Sequence, residues 1–529
     1  MDLAKTTLKH AGRFGSGTLI SRGFALIRDV LMAAILGSGP EVAAFFMAFR
    51  FSNIMRRILG EGAMQAAMVP IFEELRVKDE RQAALFFRST WLAVSAALIV
   101  IISIIELCLG SVLLLGWGGA RTEVIRLTMI MTPGLLFICW YGIQSALCSC
   151  YGHFFVPAVA PAAFNIVWIG SLVLLRDQPA QVIVAMLATS IVLAYAFQWS
   201  AVFQITRSNM RRILGREWWK ASFGPLAPLK RLLAPLTLGL IGVSAAQLNS
   251  LIDAWYAQLA DPSGPAYLWY AIRLEQVPVG MIGVALSSAA LPPLARCLAQ
   301  GKYRDFAQLI RASIVKSGQA TLMCSALFFT IGYSLIDFVF CRGAFTTYAT
   351  TQSSICLWAY ALGLTPQTWV ILLTPAFYAA KDYRTPSIAA IWSLASNLIF
   401  NATLVQLLGC GAVSIALATG VASLFNLWWL VRKLPGTLSA SVWSEIARFV
   451  MPVTAATCAG IAVGVLWESP TLPILFGRAA EIATTPSWIK PARFVSELAT
   501  FFAVMIATGA LKRWRQESND PAATFDISN

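Results

Sequence analysis

Apolar residues in this chain neither alternate nor keep to one helical face; they continue unbroken far beyond what a soluble helix buries. No Asp, Glu, Lys or Arg occurs between Arg126 and Arg176, Asp177 and Arg207, Arg342 and Lys381, or Arg384 and Arg432. A helix crosses hydrocarbon in about 20 residues, and several of these windows hold two crossings. The pattern predicts an all-α polytopic membrane protein of about fourteen spans, at 15–37, 41–72, 85–117, 123–150, 155–175, 181–206, 232–260, 264–295, 309–340, 346–380, 386–408, 411–431, 447–468 and 494–511. Pro and Gly punctuate many of them, as at Pro133-Gly134, Pro161, Pro278 and Pro375. Such breaks are tolerated where neighbouring helices or a cavity satisfy the freed backbone groups.

Composition agrees. Of 529 residues 58% are apolar and 12% charged, about half the charge of an average soluble domain. The net charge of +15 raises the question of nucleic acid, but the basic residues sort by membrane face. With both termini cytoplasmic, 27 of the 40 Lys and Arg fall in cytoplasmic segments and 7 on the opposite face. That is the positive-inside distribution, and no nucleic-acid partner is expected. The remaining six lie inside spans: Arg22, Arg28, Arg50, Arg56, Arg57 and Arg273. Most of the ten cysteines sit in apolar runs, and His10 and His153 have no metal-ligand spacing, so neither a disulfide framework nor a His-based metal site is expected. The basic start is not a secretory signal, because Arg22, Arg28 and Asp29 interrupt the apolar stretch where such a signal is continuous.

The chain also repeats itself. Ala44-Phe-Phe-Met-Ala-Phe-Arg50 matches Tyr267-Leu-Trp-Tyr-Ala-Ile-Arg273 at an offset of 223, which also carries Gly60 onto Gly283, Pro70 onto Pro293, Arg81 onto Arg304 and Arg88 onto Arg311. One residue out of that register, Asp29 falls on Asp253. Spans 1–6 and 7–12 therefore read as parallel copies, an arrangement that places a transporter's substrate site between its halves. The expected division is 1–222 and 223–435 for the two halves, 436–515 for two appended spans and 516–529 for a cytoplasmic tail.

The intramembrane arginines carry the chemistry. Six facing lipid would cost roughly 15–20 kcal/mol even on a lenient insertion scale. Arg50, Asn53, Arg57 and Glu61 follow one helical stripe, and Arg22 and Asp29 share a face. One reading confines these cations to pairs with Asp29, Glu61 and Glu275 or to snorkelling. Six cations against three carboxylates leave an excess, which is costly in a low dielectric without an anion. Guanidinium matches phosphate oxygens bidentately. The reading is a cavity suited to a multiply charged anion such as a pyrophosphate.

At these residues the sequence resembles the MurJ/MviN lipid II flippases of the multidrug/oligosaccharidyl-lipid/polysaccharide exporter superfamily. The resemblance runs through Ser21-Arg22-x5-Arg28-Asp29, Gly37-x-Gly39, Ala44-Phe-Phe-x-Ala-Phe-Arg50, Asn53-x2-Arg56-Arg57-x3-Glu61-Gly-Ala63 and Val69-Pro70. Arg273-Leu274, Gly283-Val-Ala-Leu286, Leu291-Pro292, Phe377-Tyr378 and Asp382-x2-Thr385-Pro386 also look familial. It implies a transporter of the bacterial inner membrane that moves the undecaprenyl-pyrophosphate-linked peptidoglycan precursor outward, acting as a monomer among membrane lipids. Arg28, Arg56 and Arg273 match the family's cavity arginines, and Arg22, Arg50 and Glu61 other functional charges. The chain departs from the family at Ala43, Ile272 and Gln276, where carboxylates are usual. The family also implies a sodium site at Asp253 with residues of spans 11 and 12. Here Asn397, Asn401 and Thr419 are the matching oxygen ligands, Asn401 standing where an acid is expected. A protonated Asp253 bonded to Asn397 is the alternative.

Two other functions compete. A drug or cation exporter of the same superfamily calls for carboxylates where arginines predominate. A polyprenyl-phosphate transferase needs clustered carboxylates holding a divalent metal, and no such cluster is legible. A different polyprenyl-linked glycolipid would present the same charged head.

Overall fold

A computed structural model of the chain describes residues 2–55, 63–116, 119–220, 247–380, 382, 384–434, 440–468 and 489–512. Among these residues the ordered elements are helices alone. They form two compact units, 1–251 and 252–529. The first contains α1 (Asp2–Leu36), α2 (Pro40–Met55), α3 (Ala63–Lys78), α4 (Glu80–Leu114), α5 (Thr122–Met131), α6 (Gly134–Cys150), α7 (Phe155–Leu175) and α8 (Ala180–Leu214). A further helix, α9, covers 247–260 and leads into the second unit. There follow α10 (Gly264–Pro278), α11 (Ala285–Ala299), α12 (Tyr303–Phe340), α13 (Thr347–Ala379), α14 (Arg384–Asn401), α15 (Val413–Lys433), α16 (Ala440–Glu468) and α17 (Ile489–Ala507).

Helix occupies most of the described part of each expected span. Among the described residues eight helices are long and apolar enough to cross a membrane unaided. A ninth crossing is the pair α5 and α6, bent by 46° where Pro133-Gly134 was expected to break the helix. Span 8 breaks differently. Pro278 ends α10 and a π-helical stretch, Val279–Val284, joins it to α11. Span 11 likewise ends in a π-helical turn, Ala402–Leu407, directly after Asn401. Such widened turns frequently mark functional sites.

In the first unit α1 packs along α7. Gly17 makes this possible, since a Cβ there would stand 2.9 Å from the Ala158 Cβ. The aromatic rings of Phe45, Phe49, Phe164, Trp168 and Tyr195 then tie α2, α7 and α8 together. A second core of Met68, Phe72, Phe87, Ile143, Leu147 and Met210 joins α3, α4, α6 and α8.

The second unit depends on close backbone approach. A Cβ on Gly363 of α13 would lie 2.7 Å from the Gly420 Cα of α15. One on Gly318 of α12 would lie 2.8 Å from the Trp369 ring, whose indole N–H donates to the Ile314 carbonyl (3.1 Å). Small residues at crossings are how membrane helices gain van der Waals contact, because lipid supplies no hydrophobic drive between them. The appended helices belong to this unit. Gly460 and Gly464 let α16 approach Thr330 of α12 and Glu497 of α17. Arg493 pairs with Glu497 (2.9 Å) and stacks over Tyr333, and Lys490 pairs with Asp337 (3.1 Å).

The Asp382-x2-Thr385 motif has a local cause. Asp382 Oδ1 accepts the Thr385 amide (3.0 Å) and Oδ2 the Thr385 hydroxyl (2.6 Å), capping the start of α14. These bonds hold the Asp382 carboxyl below the usual carboxylate range. The cap is therefore in place above the ordinary carboxylate pKa and is lost as pH falls through the depressed value.

Two outcomes are expected from thermal melts of the purified protein. Gly363→Val destabilises by about 1–3 kcal/mol through overpacking at the α13–α15 crossing, whereas Gly411→Ala, with open space around its Cβ, does not; equal effects would refute the crossing. Asp382→Ala costs about 1 kcal/mol near neutral pH and nothing once the acid is protonated; a pH-independent loss would contradict the cap.

Candidate functional site

Within the first unit the described intramembrane charges have different environments. Arg28 and Asp29, adjacent on α1, are 5% and 4% exposed. The Arg28 guanidinium folds back on its neighbour, donating from Nε (3.0 Å) and Nη2 (2.7 Å) to Asp29 Oδ1. Its Nη1 donates to Asn165 Oδ1 on α7 (2.9 Å), and its Cζ lies 4.5 Å from the centre of the Trp168 ring. Asn165 has a fixed orientation, because its Nδ2 donates to the carbonyls of Pro161 (3.0 Å) and Ser21 (3.4 Å). Carboxylate, amide oxygen and ring face thus surround one cation.

Arg22 and Arg50 are held differently. Arg22 is exposed on α1. Arg50, half-buried on α2, donates to the Ser250 carbonyl (3.3 Å) within the same unit. Neither has a carboxylate partner among the described residues. Arg56, Arg57 and Glu61 lie outside the described residues, so the charged stripe of span 2 is described only at Arg50 and Asn53.

In the second unit Arg273 is half-buried on α10. Its guanidinium stacks 4.0 Å over the ring of Trp269, one helical turn earlier. Glu275 is buried on the same helix, with Oε1 making no hydrogen bond, and it forms no ion pair among the described residues. The three expected carboxylate partners therefore divide: Asp29 is paired, Glu275 is not, and Glu61 is undescribed.

The polar residues of spans 7, 11 and 12 do come together. Asp253 on α9 is 8% exposed, and Asn397 and Asn401 on α14 are fully buried. Asp253 Oδ1 accepts from Nδ2 of Asn397 (3.0 Å) and of Asn401 (3.1 Å), and Oδ2 accepts from Thr419 Oγ1 on α15 (3.2 Å). Asn401 also donates to Asn397 Oδ1 (2.9 Å). Its own Oδ1 is buried without a hydrogen-bond partner, so the cluster holds an unsatisfied acceptor. A half-turn of either amide exchanges nitrogen for oxygen at the same place. The set offers hard oxygen donors and one carboxylate, a donor chemistry suited to a small monovalent cation and short of charge for a divalent one.

Asn165, Trp168 and Trp269 were not among the expected site residues. Asn165 is the one amide in 155–175 and Trp269 stands one turn before Arg273; those are the signals that identify them.

Comparison with known proteins now adds to the geometry. A family model described as lipid II flippase MurJ matches residues 32–476. Over 510 residues the chain is 29% identical to a probable lipid II flippase MurJ of Chlamydia muridarum, covering 93% of this chain and 91% of that protein. It is 30% identical to a probable lipid II flippase MurJ of Rhizobium tropici, over 78% of each. Among solved structures, a lipid II flippase MurJ in an inward closed conformation superposes with a TM-score of 0.73 at 20% identity, covering 94% of this chain and 98% of that one. An inward-facing multidrug resistance MATE family transporter gives 0.62 at 12% identity over 79% and 95%. These two likenesses establish the fold, and the family model and the relatives establish descent. MurJ flippases are transporters, which sets aside the transferase reading. The chain belongs to the lipid II flippase MurJ family.

Proposed function

We propose that this chain translocates lipid II from the inner to the outer leaflet of the bacterial inner membrane by alternating access, its arginines gripping the pyrophosphate. One observation carries the reading. Arg22 and Arg50 are intramembrane cations with no carboxylate partner among the described residues, a condition that calls for an anion. Arg28, Arg56, Arg57 and Arg273 complete the cationic set. Arg28 enters it by leaving Asp29, because a pyrophosphate offers the guanidinium more acceptor oxygens than one carboxylate does. Arg273 meets the headgroup with its plane already oriented by Trp269. Asp29, Glu61 and Glu275 are the carboxylates that pair with or gate these cations. Both termini are cytoplasmic, following the positive-inside count, and the transporter works as a monomer.

Sodium is the proposed coupling ion. Asp253, Asn397, Asn401 and Thr419 would hold it, and bound there it would supply a compensating positive charge to the buried Asp253. With Asn401 in place of an acid, the cluster carries one formal negative charge, so a monovalent ion neutralises it.

The arginine reading is tested by complementation of lipid II flippase depletion with a leaflet-resolved assay. Arg28→Ala, Arg56→Ala and Arg273→Ala each abolish or severely reduce flipping at near-normal protein levels, and Arg→Lys restores only part because ammonium lacks the bidentate fork. Flipping unchanged in all three Ala variants would contradict it. For sodium, flipping accelerates on imposing an inward sodium gradient and loses that response in Asp253→Asn; indifference of the parent protein to the gradient would overturn the coupling.

A further inference from the structure

A hydroxyl inside a helix has an acceptor at hand: those of Thr132 and Ser354 turn back to the carbonyl four residues earlier. A buried indole reaches across to a neighbouring helix, as Trp369 does to the Ile314 carbonyl. Two groups beside Arg28 do neither. Trp168 on α7 is 1% exposed and Ser52 on α2 is fully buried. The indole Nε1 and the serine hydroxyl make no hydrogen bond among the described residues. Enclosing a donor without an acceptor is costly, so both call for one.

We propose that the Trp168 indole N–H and the Ser52 hydroxyl are ligands of the lipid-linked pyrophosphate, two uncharged donors that complete a phosphate pocket around Arg28. This rests on the reading of Arg28 as a headgroup ligand.

The packing brings these groups to one place. The Arg28 Cζ lies 4.5 Å from the centre of the Trp168 ring. Phe45 and Phe49 of α2 meet the same ring edge to face, with centroids 5.3 and 4.9 Å away. Ser52 continues the stripe of Phe45 and Phe49 along α2, at the spacing of one helical face. The Arg28 guanidinium spends its Nε and one hydrogen of each terminal nitrogen on Asp29 and Asn165. The second hydrogen of each terminal nitrogen remains to be given. An indole is also more than the packing requires, since phenyl rings fill the neighbouring positions Phe45, Phe49 and Phe164 and a phenyl face also attracts a cation. What the indole adds is its N–H. Donors therefore converge from α1, α2 and α7. A tetrahedral phosphate has oxygens to meet them on several sides, where a carboxylate holds both of its oxygens in one plane. Uncharged donors strengthen the grip without adding to the cationic excess, which is costly in a low dielectric once the lipid has left. The closed pocket admits the headgroup as these helices part, and the anion then satisfies donors that the closed unit leaves without acceptors.

The experiment uses the full chain in lipid nanodiscs, with nitrogen-15 in the tryptophan indoles. The Nε1–H resonance of Trp168 is the one missing from Trp168→Phe. Undecaprenyl pyrophosphate in the bilayer moves that resonance downfield and saturably, and undecaprenol, with the same tail and no phosphate, leaves it in place. Inorganic pyrophosphate moves it only at higher concentration, because no tail holds it at the membrane. Affinity for undecaprenyl pyrophosphate, read by native mass spectrometry, falls about tenfold or more in Trp168→Phe and in Ser52→Ala, the loss expected for one hydrogen bond to a charged group. Ser52→Ala carries the affinity test if the tryptophan variant does not fold. Parent affinity in both variants, or a Trp168 resonance that undecaprenyl pyrophosphate does not move, overturns the two donors; if Arg28→Ala binds weakly in the same assay, the reading of Arg28 stands. Tighter binding of free pyrophosphate than of the lipid overturns a headgroup pocket. Weak binding by both variants while Arg28→Ala binds as the parent does overturns Arg28 as a headgroup ligand, and with it a pocket built around Arg28, but not the transport reading based on the other arginines.

Discussion

A charge placed within hydrocarbon must have its compensation in the protein or in a ligand, and this one constraint arranges the functional residues. A guanidinium on lipid costs about 2.5–3.5 kcal/mol at the bilayer centre, so arginines persist in spans only where something answers them. Arg28 is answered by Asp29, Asn165 and Trp168; within α17 Arg493 is answered by Glu497, while the Lys490–Asp337 pair and the stack of Arg493 on Tyr333 fasten α17 to α12. Arg273 has an aromatic face and Arg50 a backbone carbonyl. The carbonyl brings Arg50 no compensating negative charge, and in the proposed function the phosphate of the substrate supplies it.

The helices that present these groups are irregular for a related reason. Regular helices close-packed through Gly363, Gly420 and Gly318 make a rigid frame. The two π-helical turns lie beside chemistry, one after Arg273 and Glu275 and the other after Asn401. A widened turn frees backbone groups and changes the direction in which side chains point, at positions where regular geometry would direct them elsewhere.

Much of this was legible in the sequence because hydrocarbon tolerates so few polar residues. Asp253 stands out as the one carboxylate of span 7, the family resemblance points from it to Asn397, Asn401 and Thr419, and the fold brings all four together. The Pro133-Gly134 bend was equally open to reading, since proline removes a donor and clashes with the preceding turn. Arg28 was legible as a functional charge but not as a buried, three-bonded one, because its partner Asn165 lies 137 residues away and an amide has many uses. The π-helical stretch Val279–Val284 follows Pro278, a break already legible in the sequence, whereas Ala402–Leu407 carries no comparable signal.

The central claim is that the charged head, and not the lipid tail or the sugar, is what the arginines recognise. Native mass spectrometry of the purified chain with undecaprenyl pyrophosphate, undecaprenyl phosphate and undecaprenol tests it most directly. The account predicts binding that falls steeply from the pyrophosphate to the monophosphate and vanishes for the alcohol, with the difference collapsing at high salt as the charges are screened. Equal binding of all three would contradict it.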